Sequence, residues 1–239
     1  NVWGPVIGLV AGALLWTGKY EYIEKVLVGL VTVMAVAFVL SAIMVEPSWS
    51  DLAAGFVPAV PDGSLYLVTG LIGTTVVGYN LFLHASSVSD RWEGASDLPA
   101  SRTDTVLSIA VGGLITIAVI VTAAAAFPTG TSLDDIGRMA EQLEPLAGTY
   151  AKWLFSIGIF AAGFTSSATA PLAGAYATAG ALGWEKDIAS TKFRAVWGTI
   201  IAVGILFSGL GYSHLMVIVF AQDANWVLPP TVAIFLIYG

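Results

Sequence analysis

The chain has 239 residues, of which 57% are hydrophobic and only 10% are charged, and its mean hydropathy is +0.85. This composition excludes a soluble domain and indicates an integral membrane protein. The absence of cysteine excludes disulfides, thiolate metal sites and cysteine nucleophiles. The net charge of −7 says less than the distribution of the charges along the loops.

Apolar runs alternate with polar turns along the whole chain. A spanning helix needs about 20 mainly apolar residues, and seven segments approach this length, with the first and last incomplete. The predicted spans are residues 2–16, 26–45, 66–88, 105–127, 151–182, 194–211 and 214–239. Because the chain begins and ends inside apolar runs, we expect it to be an internal fragment of one multi-pass transmembrane domain.

The third span carries the most unusual sequence of the chain. Gly78-Tyr79-Asn80 lies near its middle, where glycine costs about 1 kcal/mol in a helix and polar atoms need partners. We predict a helix break here, because many secondary transporters build ion sites from the carbonyls that such a break frees. Asn80 and His84 would share one helical face after the break. The alternative is a kinked span in which both side chains bond to neighbouring helices.

The segment between the fourth and fifth spans predicts a short amphipathic helix at the membrane surface. Ser132 is its expected cap, and acidic residues follow in the first turn, where the helix dipole favours them. The acidic residues of this segment are Asp134, Asp135, Glu141 and Glu144. Collection of metal ions is one hypothesis for them, and a solvated acidic face is the more ordinary interpretation.

The last span contains Gln222, Asp223 and Asn225, followed by Pro229-Pro230. Asp223 is the only acid within the predicted spans, and an ionisable residue at membrane depth is by default a functional-site hypothesis. The alternative is that Asp223 lies near a helix end or faces a water-filled vestibule. The two prolines predict a second helix break just after this cluster.

Basic residues predict how the chain is oriented. Short cytoplasmic loops are enriched in lysine and arginine, and placing residues 17–25 in the cytoplasm puts most basic residues on that side. Those residues are Lys19, Lys25, Arg91, Arg102, Lys186, Lys192 and Arg194, with Arg138 and Lys152 outside. Composition alone suggests the inner membrane of a bacterium.

Motifs spread over the chain resemble the Nramp (natural resistance-associated macrophage protein) family of divalent-metal transporters. The motifs that resemble its fifth and sixth helices are Val28-Gly29-Leu30, Trp49, Gly55-Phe56-Val57-Pro58, Pro61-Asp62-Gly63, Gly73, Thr75-Val76, Asn80-Leu81 and Leu83-His84. Those that resemble its eighth and tenth helices are Phe160-Ala161-Ala162-Gly163, Ser166-Ser167, Ala173-Gly174, Gln222 and Pro230. Taken together these matches are specific.

The resemblance implies an all-α integral membrane protein with a LeuT-type inverted-repeat transporter fold. This chain would hold part of that fold, about helices four to ten, including a broken sixth helix. The family keeps an Asp-Pro-Gly-Asn metal motif in its first helix, and this sequence contains no such motif. Within this chain, the resemblance places metal ligands at Asn80, at the backbone carbonyl of Thr74 and at Gln222.

The sequence departs from the family at the sixth-helix motif. Typical members have Met-Pro-His-Asn there, whereas this chain has Val77-Gly78-Tyr79-Asn80. The thioether of the methionine suits Mn²⁺, Fe²⁺ or Cd²⁺, and Val77 offers no donor atom. With Asp223 and Asn225 added, the donor set is all oxygen, which favours a hard cation such as Mg²⁺. The magnesium-transporting branch of the superfamily also lacks the methionine.

Proton coupling is also affected by this departure. Tyr79 replaces the motif histidine that is associated with proton movement in the family, and His84 remains. A histidine titrates near neutral pH and can relay protons, although a single one is as readily a packed residue. We therefore expect weak or absent proton coupling, with Val77, Gly78, Tyr79 and His84 lining the ion pathway or its gates.

The sequence thus predicts a secondary transporter that moves divalent cations by alternating access. Mg²⁺ is the expected substrate, with Mn²⁺ as a second possibility. The expected partners are the cation and the lipid bilayer, with no resident cofactor and no nucleic acid, and the oligomeric state stays open, a monomer included. One alternative is a proton-coupled Mn²⁺ or Fe²⁺ transporter of the typical kind. Another is an organic-solute carrier in which Asn80, Gly78 and the freed backbone bind a carboxylate.

A membrane enzyme is the remaining class. An intramembrane hydrolase needs a nucleophile and a base at a workable spacing. Ser166 or Ser167 with His84 is too generic a combination to indicate one, and a pair of helical histidines with a glutamate is absent. We therefore expect a protein that is not an enzyme.

Overall fold

In the computed structural model, the described residues are 3–57, 59–60, 62–75, 77–92, 94–127, 136–210, 217–225 and 234. Every regular element in these ranges is helical, as the predicted fold class requires. The α-helices are α1 (Trp3–Trp16), α2 (Tyr20–Met44), α3 (Trp49–Ala54), α4 (Leu65–Thr75), α5 (Gly78–Arg91), α6 (Leu98–Ala126), α7 (Ile136–Leu182) and α8 (Thr191–Gly209). Residues 217–225 are also helical, and the 3₁₀ turn Ala95–Asp97 leads into α6.

Several of these helices can cross a bilayer. The segments that are long and apolar enough are Tyr20–Met44, Ala95–Ala125, Gly148–Leu182 and Thr191–Gly209, and the bent pair Leu65–Leu81 and Leu83–Ser89 would add a fifth span. The helix α1 is apolar but has only 14 residues, and the last predicted span, 214–239, is described only at 217–225 and 234. The chain is thus an integral membrane protein, and the count of seven spans stays a prediction.

The helices form two compact units. The first comprises Asn1–Tyr20, Ala59–Arg91 and Ser167–Gly239, and the second comprises Glu21–Pro58 and Trp92–Ser166. The first unit contains α1, α4, α5, α8, the C-terminal part of α7 and the helical segment 217–225. It therefore holds every residue that the sequence predicts to bind or conduct the cation.

Glycines bring α1 and α8 of the first unit into close contact. Gly4, Gly8 and Gly12 recur at every fourth position of α1 and face α8. A Cβ atom added to Gly8 would lie 2.7 Å from Cγ1 of Ile205, whereas one added to Gly12 would lie 3.7 Å from Cδ1 of Ile201. Small residues at this spacing let membrane helices approach closely, so Gly4, which faces Ser208 more closely still, and Gly8 set the distance between the two helices.

Aromatic and basic side chains join the other ends of the same two helices. Trp16 packs edge-on against Trp197 with their ring centroids 6.2 Å apart. The Arg194 guanidinium lies 4.6 Å from the centre of the Trp16 ring and donates a hydrogen bond of 3.1 Å to the Trp16 carbonyl. Ser190 caps α8 by accepting a bond from the Phe193 N–H at 3.3 Å. These contacts satisfy backbone groups at both helix ends.

The second unit is built around a pair of phenylalanines. Phe38 of α2 packs edge-on against Phe155 of α7 with centroids 5.8 Å apart, and a Cβ at Gly158 would lie 3.0 Å from the Phe38 ring. The hydroxyls of Ser41 and Thr122 are fully buried, and each donates to a carbonyl one turn earlier in its own helix at 2.8 Å. These buried hydroxyls are therefore paired, as buried polar groups usually are.

The helix α7 is interrupted at Gly148. Its φ of 79° and ψ of 173° are not helical, and glycine adopts a positive φ at no steric cost. The residues after the interruption form the span Gly148–Leu182, and residues 136–147 form a shorter helix before it. The predicted cap at Ser132 and the first-turn acids Asp134 and Asp135 lie outside the described residues.

Glu144 connects the two parts of α7 across this interruption. Its carboxylate accepts hydrogen bonds from Lys152 Nζ at 3.1 Å and from Thr149 Oγ1 at 3.0 Å. These bonds, together with the charge of Lys152, hold the pKa of Glu144 below its usual value. No group of three or more His, Asp or Glu residues in the described ranges is placed to bind a metal ion. Metal collection by Glu141 and Glu144 therefore gains no support.

The contact between α1 and α8 predicts a stability difference between two glycine substitutions. Gly8→Ala forces Ile205 to move, so we expect a loss of about 1–3 kcal/mol, as for other overpacked positions. Gly204→Ala on α8 is the matched control, because no atom lies within 4 Å of its added Cβ. Thermal unfolding of the two purified variants in detergent measures the difference, and equal melting temperatures would contradict the packing.

The lowered pKa of Glu144 predicts a pH-dependent contribution to stability. A carboxyl group with a lowered pKa stabilises the folded state above its usual pKa, and this contribution is lost as the pH falls through the lowered value. Glu144→Gln should therefore lower the melting temperature slightly at neutral pH, and the difference from the wild type should vanish in acid. The exposed Glu141 gives the control Glu141→Gln. A Glu144→Gln difference that persists unchanged below pH 3 would contradict the bridge.

Candidate cation site

The predicted break lies between α4 and α5. The helix α4 ends at Thr75 and α5 begins at Gly78, and a separate bend of 43° lies one turn further on, between the segments Leu65–Leu81 and Leu83–Ser89. The interruption thus falls just before Gly78, which is the first residue of α5 rather than part of the break. The broken helix predicted from the sequence is confirmed, two residues earlier than expected.

The end of α4 exposes backbone oxygens to the break. The last four carbonyls of a helix have no partner within it, and in α4 these belong to Ile72, Gly73, Thr74 and Thr75. The C-terminal end of a helix also carries partial negative charge. The Thr74 hydroxyl donates to the Leu71 carbonyl at 2.7 Å, so its oxygen retains acceptor capacity. The carbonyls without a helical partner, the partial negative charge and the Thr74 oxygen all favour a cation at the end of α4.

Asn80 and His84 lie on the first turns of α5. Both are exposed and, being four residues apart, share one face of the helix. The Asn80 N–H donates to the Val77 carbonyl at 3.0 Å, while its side chain makes no hydrogen bond to another described residue. Val77 is only 5% exposed, and Tyr79 is half-buried. Among the described residues, the Asn80 side chain thus has no partner that would occupy it, and its role as a ligand stays a prediction.

The residues of the last predicted span divide into two groups. Asn225 Nδ2 donates to Gln222 Oε1 at 3.1 Å, so these two amides hold each other. Asp223 contacts α4 instead, because its Oδ1 accepts a hydrogen bond of 2.9 Å from the Thr69 hydroxyl. Within the described ranges, no hydrogen bond joins Thr74 to these residues. The predicted break at Pro229-Pro230 lies outside the described residues.

Sequence reasoning missed the residues that surround Asp223 on α4. These are Thr69, Gly70 and Tyr66, whose side chain interacts with the Asp223 carboxylate. A Cβ at Gly70 would lie 3.4 Å from Asp223 Oδ1, which shows how closely the backbone of α4 approaches the acid. The sequence offered only one local signal for this contact, a threonine one turn after a tyrosine. The contact itself joins Thr69 to Asp223, which are 154 positions apart in the chain.

Comparison with known proteins identifies the chain's relatives. A family model described as natural resistance-associated macrophage protein-like matches residues 1–238. A protein of Caldanaerobacter subterraneus subsp. tengcongensis named "Divalent metal cation transporter MntH" is 30% identical over 213 residues, which cover 83% of this chain and 50% of that protein. A protein of the same name from Ralstonia nicotianae is 32% identical over 229 residues, covering 84% of this chain and 51% of that protein.

These relatives carry the names of metal transporters, which are not enzymes. The chain spans about half the length of the curated relatives it matches. The match to the family model covers the broken helix, the predicted ligands and both helical units. The resemblance found in the sequence is therefore confirmed, and the chain belongs to the Nramp family.

Proposed function

We propose that the protein is a secondary transporter that moves divalent metal cations across a bacterial inner membrane by alternating access. The observation that carries this proposal is the interruption between Thr75 and Gly78 in a chain of the Nramp family. The names of its bacterial relatives, which are those of divalent-metal transporters, support the same function. The lipid bilayer and the cation are then its partners, and no resident cofactor is needed.

The chemistry of the break favours a cation over an organic anion. A cation is attracted by the free carbonyls and the negative dipole end of α4. A carboxylate would instead need the N-terminal end of α5, where Val77 and Gly78 are buried. The organic-solute alternative thus has less support than metal transport.

The donor atoms favour a hard cation. Asn80, the Thr74 carbonyl, Gln222 and Asn225 offer oxygen, and the Asn225–Gln222 hydrogen bond orients the two amides. Val77 occupies the position of the family's methionine and is a buried apolar residue without a donor atom. Mg²⁺ binds oxygen and keeps several of its waters, so we propose Mg²⁺ as the preferred substrate, with Mn²⁺ also carried.

The residues near the break also bear on proton coupling. A phenol does not release its proton near neutral pH, so Tyr79 is a poor substitute for the family's histidine. His84, the histidine that remains, is exposed on α5. We propose that transport is driven mainly by the cation gradient and the membrane potential, with little proton movement.

Substitution of Asn80 tests the proposed function. Asn80→Ala removes an oxygen ligand, and a bond to a charged group is worth about 1.5–3 kcal/mol, so uptake of Mn²⁺ tracer should fall about ten-fold or more at low concentration. The control is Thr116→Ala, an exposed residue of α6 whose hydroxyl bonds only to Gly112 of its own helix. Uptake into proteoliposomes containing the complete protein is the measurement. Equal uptake by Asn80→Ala and the control would contradict the site.

A further inference from the structure

The Asp223 carboxylate lies among hydroxyl oxygens on the first half of α4. Its Oδ1 accepts the Thr69 hydroxyl at 2.9 Å, and the Tyr66 hydroxyl lies close enough to interact with the carboxylate. Gly70 lies against the carboxylate, because a Cβ there would be in van der Waals contact with the same oxygen at 3.4 Å and with Cγ1 of Val219 at 3.6 Å. A carboxylate, a hydroxyl and a phenol thus converge at one point of the first unit.

Within the part of the chain that the structure describes, the second oxygen of this carboxylate accepts no hydrogen bond. Asp223 Oδ2 is buried without a hydrogen-bond donor, and no lysine or arginine in the described ranges forms an ion pair with Asp223. Removal of an ionised group from water costs several kcal/mol unless a positive or donating group compensates. The site therefore offers a buried carboxylate oxygen without a donor beside the hydroxyl oxygens of Thr69 and Tyr66, and oxygens of these kinds bind hard cations.

This group is too far from the break to share an ion with it. Thr69 precedes Thr74 by five residues, or roughly 7.5 Å along the helix axis at 1.5 Å per residue. Side chains of a helix point towards its N-terminus and its carbonyls point the other way, which increases the separation. Ligand oxygens lie about 2.0–2.6 Å from Mg²⁺ or Ca²⁺, so one ion cannot contact both Asp223 and the Thr74 carbonyl.

Tyr66 is the most exposed member of the group and lies at the start of α4. Tyr66 is the second residue of α4 and is 53% exposed, while Asp223 and Thr69 are half-buried beneath it. In the orientation that the basic residues predict, this end of α4 faces the outside of the cell. An ion that enters from outside meets Asp223 before it reaches Asn80.

We infer that Asp223, Thr69 and Tyr66 form a second divalent-cation site, separate from the site at the break, which captures a partly hydrated ion on its way to Asn80. The inference builds on the proposed transport function and moves Asp223 from the transport site to a site of its own. Rotation of the exposed Tyr66 side chain admits the ion to Oδ2. The retained waters complete the coordination shell, since one carboxylate and two hydroxyls supply only part of it.

Equilibrium binding of Mn²⁺ to the complete purified protein tests this inference without requiring transport. Free Mn²⁺ gives a sharp electron paramagnetic resonance signal that is lost when the ion binds to protein. A titration followed by this signal therefore gives the number of sites and the affinity of each. Four variants are compared with the wild type: Asp223→Asn, Thr69→Val, Asn80→Ala and Asp62→Asn. Asp62 is an exposed acid in the loop before α4, and its variant is the control for non-specific surface charge.

The expected result is that Asp223→Asn weakens one Mn²⁺ site at least ten-fold, and Thr69→Val weakens the same site several-fold. Asn80→Ala and Asp62→Asn should leave that site intact. Unchanged binding by a folded Asp223→Asn variant would overturn the inference and leave Asp223 as a structural contact to α4. Loss of the same single site in both Asp223→Asn and Asn80→Ala would also overturn it. If the protein bound Mn²⁺ at the Asp223 site but showed no uptake into proteoliposomes, the proposed transport function would be wrong and the binding site would stand.

Discussion

Backbone groups inside a membrane have no water to bond, so a spanning helix can be interrupted only where its free carbonyls and amides find other partners. The interruption between α4 and α5 is the feature on which the proposed activity depends. It leaves the carbonyls of Ile72 to Thr75 without partners in their own helix. In the proposed site a cation would satisfy these oxygens, whereas a continuous helix of the same sequence would offer none of them.

A helix that is cut in two needs support from its neighbours. The first half, α4, is held by the helical segment 217–225, where Asp223 bonds to Thr69 next to the close approach at Gly70. Elsewhere in the first unit, Gly8 brings α1 against α8. Small residues and one acid thus bring these helices of the first unit together, alongside the aromatic contact between Trp16 and Trp197.

The sequence predicted the features that depend on local chemistry. Gly78 and Asn80 in an apolar run indicated the break, and the acid Asp223 stood out among apolar residues. The contact partner of Asp223 was not predictable, because Thr69 is 154 residues away and a single sequence contains no information on such pairings. The sequence pattern around Glu144 favours a solvated acid or one that collects metal ions. Its bond to Lys152 depends on the backbone angles of Gly148, which composition does not specify.

The proposed site is built from oxygen donors, lacks the family's methionine and should accept a hard cation. Uptake of Mn²⁺ tracer into proteoliposomes by the complete protein, with Mg²⁺ as competitor, measures this most directly, and Val77→Met provides the comparison. We expect millimolar Mg²⁺ to suppress Mn²⁺ uptake by the wild type and to suppress it less in Val77→Met, because a soft thioether is a poor ligand for the hard Mg²⁺. Wild-type Mn²⁺ uptake that persists in a large excess of Mg²⁺ would contradict a site that accepts hard cations.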